Sequence, residues 1–118
     1  MTTQKETGNF GEQQAQAYLQ SCGYEILAVN WQYKHLEADI IMRDGAVLVF
    51  VEVKTRSSVS FGHPQEFVDE KKQERLFRLA EVYVDEVEHQ GDIRFDIVSI
   101  ISKNGLQIEH IKDAFWHY

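Results

Sequence analysis

Asp39, Glu52 and Lys54 are the residues of this sequence whose types and spacing suit chemistry together. Glu52 and Lys54 stand two apart, and residues two apart on a strand share a face. Asp39 lies in the preceding strand-like run, thirteen residues earlier by subtraction of their numbers. Carboxylates gathered on a buried surface repel one another and are costly to desolvate, and a bound cation resolves both problems. An all-oxygen ligand set favours Mg²⁺ or Mn²⁺ over zinc. Such an ion activates water and stabilises charge developing on a phosphate. Lys54 would then orient the attacking water or neutralise the phosphorane-like transition state. The bland alternative is that Glu-x-Lys on a strand is a common accident, an exposed cross-strand ion pair and nothing more.

The elements that must position these residues are legible as apolar patterns. Residues 37–43 and 46–54 are strand-like runs around Asp44-Gly45, a strong hairpin signal between apolar stretches. With Asp44-Gly45 as a two-residue loop, Arg43 pairs with Ala46 and Glu37 falls opposite Glu52. Glu37, Asp39, Glu52 and Lys54 then point to one side, with Asp39 and Glu52 as diagonal neighbours. A three-residue loop would flip one strand and destroy the cluster. Val47 to Val51 is nearly continuous in apolar residues, as expected of a central strand covered on both faces.

Around that hairpin, Phe10, Ala15, Tyr18, Leu19 and Cys22 recur at helical spacing, with Gly23 placed to end the helix, so a helix is predicted over residues 9–22. Cys22 completes its stripe and is expected in the core. Residues 25–33 alternate as a first strand, and residues 34–36 read as a turn. Residues 55–65, with Gly62 and Pro64, form a loop. A long helix follows over residues 69–89, striped by Leu76, Leu79, Ala80, Tyr83, Val84 and Val87 and ended by Gly91. Residues 93–101 are a strand, Asn104-Gly105 a second turn, and residues 106–111 a last strand. The order is helix, three strands, helix, two strands, with the long helix as a crossover between parallel strands. This is an α/β chain with a mixed sheet flanked by helices.

The 118 residues fit one domain, with residues 1–7 expected to be flexible. Apolar residues at 43% and charged residues at 26% are ordinary for a globular protein. No apolar run approaches bilayer length, the N-terminal residues lack a signal-peptide core, and the one cysteine forms no internal disulfide, which together predict a cytoplasmic protein without a membrane span. The net charge of −7 argues against broad polyanion binding. Its distribution softens that objection: residues 54–78 hold six of the twelve Lys and Arg. A solvated helix of mixed charge and a phosphate-facing patch both suit this stretch.

Arg56, Lys72 and Arg75 are its candidates for phosphate contacts. Glu37 suits a carboxylate beside the ligands or an exposed partner of Lys34. Glu12 lies in a first helical turn, where the macrodipole favours an acid anyway. Gln65 is read as a loop residue. His35, His63, His89, His110 and His117 show no metal-ligand spacing and are read as incidental. Trp31 and Tyr33 suit packing better than base stacking, and the tail Phe115-Trp116-His117-Tyr118 is expected to fold back on the body.

A resemblance then becomes specific. Phe10-Gly11-Glu12, Gly23-Tyr24-Glu25-Ile26-Leu27, Glu37-Ala38-Asp39-Ile40-Ile41, Leu48 through Arg56, Lys72-Gln73 with Arg75-Leu76, and Arg94-Phe95-Asp96-Ile97, in that order, resemble the YraN family of small bacterial proteins over residues 8–113. That family resembles the PD-(D/E)xK nucleases, and among them the archaeal Holliday-junction resolvases. The resemblance implies a restriction-endonuclease-like core, metal ligation by Asp39 and Glu52, a catalytic role for Lys54, and a helical carboxylate, Glu12, at the same site. Leu36, where a glycine commonly precedes the acidic pair, and Ala38, in place of a larger apolar residue, depart from the pattern without touching a candidate ligand. The expected activity is metal-dependent cleavage of DNA, including branched DNA, and a two-fold dimer would suit a junction cutter. The rivals are a nucleic-acid-binding module without catalysis and a protein-interaction component using the acidic helix end and aromatic tail.

Overall fold

A computed structural model describes residues 4–56, 68–102 and 105–116, with side chains from residue 10 onward. The chain forms α1 (Gln4–Ser21), β1 (Glu25–Tyr33), β2 (Leu36–Asp44), β3 (Val47–Arg56), α2 (Glu70–Glu86), β4 (Ile93–Ile101) and β5 (Gln107–Ile111). Gly62, His63, Pro64, Gln65, Asn104 and His117 lie outside the described residues.

The helix ends follow from local chemistry. Gly23, at φ +96°, closes α1. Its N–H donates to the Gln20 carbonyl and the Tyr24 N–H to that of Leu19, the paired bonds of a Schellman motif. Asp69 caps α2, its side chain accepting from the Lys72 N–H at 2.8 Å. At the far end α2 stops short of the expected Gly91. Glu88 takes φ +54°, its N–H donates to the Asp85 carbonyl, and the His89 N–H donates to Val84. The same motif is thus made without its usual glycine, so the glycine signal placed the stop three residues late. Cys22 is exposed, correcting its expected place in the core: α1 ends at Ser21, and the buried stripe is completed by Ala15 and Leu19.

The five strands lie in sequence order in one sheet. β3 and β4 are parallel, joined through α2, and the other pairs are antiparallel. Each face carries its own core. Phe50, Phe95, Ile97 and Leu48 pack against Leu76, Phe77, Leu79, Ala80 and Tyr83 of α2. Val49, Val51, Val98, Ile100 and Ile40 pack against Ala15 and Leu19 of α1. Phe115 is buried and stacks on Phe95 at 5.4 Å, as expected of the tail, while Trp116 stays 56% exposed. Among the described residues no helix is long and apolar enough to cross a membrane.

The β2–β3 hairpin turns one residue later than expected. Asp44 pairs with Val47, which leaves Gly45-Ala46 as the loop, and Gly45 supplies φ +59° at its first position. This moves the register by two in the sum of paired numbers, so the parity of the two strands is kept.

Candidate functional site

The site forms where β2 and β3 part. Their pairing runs from Asp44–Val47 to Ile40–Val51 and stops there. One step further, the same register sets Asp39 level with Glu52, directly opposite rather than diagonal. At this point the Asp39 side chain replaces a ladder carbonyl: the Val53 N–H donates to its Oδ2 at 2.8 Å. The alternation of β2 also breaks here. Leu36 and Ala38 belong to the α2-side core, whereas Ile40 and Met42 belong to the α1-side core. On β1 the facing stretch carries its own irregularity, Asn30 at φ +52°. A regular strand would bury Asp39 in one core or the other; the break leaves its carboxylate at the parting of the strands.

Glu52 sits on the α2 side of β3, between Val51 and Val53 of the α1-side core, and its side chain is only 3% exposed. Two ammonium groups converge on its Oε1. Lys54 Nζ, from the same strand, lies at 3.6 Å. Lys72 Nζ, from the first turn of α2, makes direct contact. The Asp69 cap fixes that turn through the Lys72 backbone and so aims the side chain at β3. Burial pushes the Lys54 ammonium below its ordinary pKa, and the neighbouring Lys72 pushes it further, against the pull of Glu52. Burial also pulls on Lys72, but contact with Glu52 outweighs it and the net shift is upward. Ser99 faces Lys54 across the parallel β3–β4 register. It is fully buried, and its Oγ has no hydrogen-bond partner among the described residues.

Asp39 is the strained member. Burial, then repulsion from Glu52, then Glu12, raise its carboxyl from 3.8 to about 7, and the Val53 N–H and Lys72 only partly offset them. Glu12 reaches this field from α1 because the helix approaches β3 closely at Gly11. A Cβ on Gly11 would lie 1.9 Å from Thr55 Oγ1. A divalent ion fits the donor set: two carboxylates on facing strands with hard oxygens, one of them raised by burial and by the charge of the other. Among the described residues no three His, Cys, Asp or Glu side chains form a complete cage. Mg²⁺ does not need one, since it is commonly held by one or two carboxylates with water and substrate phosphate completing its shell.

Asp39, Glu52, Lys54 and the more distant Glu12 thus share one electrostatic neighbourhood. Glu37 does not share the face expected for it. It alternates with Leu36 and Ala38 of the α2-side core, so it points away from Glu52, and it is exposed. Its same-face placement assumed unbroken alternation along β2. Lys72, read from sequence as a phosphate contact, is inside the site on Glu52. Arg75 is exposed on α2, and Arg56 is half-buried at the end of β3.

A second polar cluster escaped the sequence reading. Asp96 is fully buried and accepts from Arg94 Nε (2.8 Å) and Nη2 (2.9 Å), from the Asp113 N–H (3.0 Å), and pairs with His110 Nε2 (2.7 Å). Arg94 also reaches Asp44 at 2.8 Å. This cluster ties β4 to the β2–β3 hairpin, β5 and the C-terminal segment. His110 is therefore structural and not incidental. The available signal was an acid inside the apolar run of β4, which demands partners; nothing in the spacing said which.

Comparison with known proteins follows the same lines as the sequence motifs. The model of the uncharacterised protein family UPF0102, the YraN family, matches residues 11–100. UPF0102 proteins of Christiangramia forsetii and Flavobacterium johnsoniae are each 44% identical to this chain over the full length of both partners. One from Bacteroides thetaiotaomicron is 43% identical over 98% of this chain and 97% of its own.

Proposed function

We propose that this chain, which belongs to the UPF0102 family, is a metal-dependent endonuclease with a restriction-endonuclease-like core, acting on DNA. The observation that carries the reading is the Asp39–Glu52 pair: two carboxylates on facing strands at a broken sheet alternation, with Asp39 raised to about 7 by burial first and by the Glu52 charge second. Carboxyl groups shifted by burial together with a like-charged neighbour are concentrated at functional sites, and the broken strand pairing places this pair where an ion could enter.

Asp39 and Glu52 would hold Mg²⁺ or Mn²⁺, with Glu12 behind them as a contributor to the negative field. The ion, when bound, supplies a water of lowered pKa and neutralises charge on the scissile phosphate. Lys54, 25% exposed at its side chain, is open to substrate on one side and held by Glu52 on the other. Its ammonium donates to the non-bridging phosphate oxygen or to the attacking water, fixing the line of attack. Arg56 and Arg75 would extend the positive surface along the substrate backbone.

The test is a cleavage screen with Mg²⁺ and Mn²⁺ over duplex, single-stranded, flapped and four-way-junction DNA, and RNA, with Asp39→Ala and Lys54→Ala in parallel. Metal-dependent cutting lost in both folded variants is the expected result. Binding without cutting would replace this reading with a nucleic-acid-binding module. Neither binding nor cutting would replace it with a protein-interaction component.

A further inference from the structure

Lys72 holds one of the two oxygens that Glu52 would offer to a metal ion. Its ammonium touches Oε1 of a carboxylate that is 3% exposed. Lys54 approaches the same oxygen at 3.6 Å. The two lysines differ in how they are held. Lys54 projects from the central strand, whose backbone at this point is paired to β4. Lys72 reaches Glu52 from α2, with its side chain 37% exposed, so its outer part already borders solvent.

We propose that Lys72 is a tethered counter-cation: in the metal-free protein its ammonium neutralises Glu52, and a divalent ion entering between Asp39 and Glu52 displaces it outward, where it meets the backbone phosphate of the substrate. This rests on the metal-site reading above. Three features support it. The buried Glu52 needs a cation in either state, since an unpaired buried carboxylate is costly. Asp39 instead takes a neutral donor, the Val53 N–H, at 2.8 Å. A flexible lysine stem on a helix, unlike a ligand on a strand, can swing its charge several ångströms without moving backbone. Metal loading would therefore free one positive charge for phosphate, and the two binding events would be coupled in both directions.

The test is Mn²⁺ affinity by electron paramagnetic resonance for wild type, Lys72→Met and Lys54→Met, with the ¹⁵N-lysine ammonium signals of the wild type followed through a Mg²⁺ titration. Lys72→Met should tighten Mn²⁺ by about tenfold, and clearly more than Lys54→Met does. In the wild type the Lys72 ammonium signal should lose its protection from solvent exchange as Mg²⁺ saturates, an observation that does not depend on any variant folding. If Mn²⁺ binds the wild type but Lys72→Met leaves the affinity unchanged, and the Lys72 signal keeps its protection, displacement is wrong and the metal site stands. If the wild type binds no Mn²⁺, the metal reading fails and the displacement with it.

Discussion

Replacing Asp39 with Asn should make the protein more stable above neutral pH, while removing one of the two proposed metal ligands. Burial and Glu52 raise the Asp39 carboxyl from 3.8 to about 7. The folded state therefore holds a proton that the unfolded chain releases, and stability falls as pH rises between those values. At about 1.36 kcal/mol per pH unit the ceiling on this penalty is roughly 4 kcal/mol above neutrality. Asn keeps the shape and an oxygen for the Val53 N–H. It is still a polar group to be desolvated and a weaker acceptor, so the net gain should be about 1–2 kcal/mol. For a domain of this size that is roughly 5–10 °C in Tm. The assay is thermal unfolding of wild type and Asp39→Asn at pH 5 and pH 8, with and without millimolar Mg²⁺. The advantage of Asn should be present at pH 8 and absent or reversed at pH 5, where the carboxyl is protonated in the fold. Mg²⁺ should stabilise the wild type at pH 8 and leave the variant unmoved. An Asp39→Asn protein less stable than wild type at pH 8, or equally favoured at both pH values, would mean that the Asp39 carboxyl carries no such penalty.

Gly11→Ala should destabilise although Ala ordinarily improves a helix by about 1 kcal/mol. The new methyl meets Thr55 Oγ1 at 1.9 Å and Cβ at 3.2 Å, so overpacking of about 1–3 kcal/mol is expected in chemical denaturation, with most of it recovered by adding Thr55→Ala. Asp96→Ala should cost about 3–5 kcal/mol, because it leaves Arg94 and His110 without their buried acceptor, yet Mn²⁺ affinity of the folded fraction should be unchanged. Burial would raise the Asp96 carboxyl, but His110, Arg94 and the Asp113 N–H outweigh it and hold it low. The stability it contributes is thus present above the ordinary carboxylate range and lost only as pH falls through the lowered value, which acid titration of wild type against Asp96→Ala would show.

The element order and the position of β4 were legible because each element carries its own period: two for the half-covered strands, 3.6 for α2, and a continuous apolar run for β3. Glu52 and Lys54 were legible as neighbours for the same reason. The surroundings of Asp39 were only half legible. The parity of β2 and β3 survived the shifted turn, which kept the Asp39–Glu52 juxtaposition, but the break in alternation at Asp39 has no sequence signature and took Glu37 off the face. Lys72 on Glu52 depends on how α2 lies across the sheet, a tertiary fact that no spacing along the chain encodes. Glu88 ended α2 without glycine because the chain must turn back to β4 there, and that demand overrode local preference. The Asp96 cluster joins residues from Asp44 to Asp113 and is visible only once the sheet is assembled.

Asp39 and Glu52 are proposed to hold one divalent ion together, and Mn²⁺ titration of wild type, Asp39→Asn and Glu52→Gln by electron paramagnetic resonance decides whether they do. A single saturable Mn²⁺ per wild-type chain, displaced by Mg²⁺ and lost in both folded variants, is the expected result. No binding by the wild type, or binding that either variant retains undiminished, would contradict it.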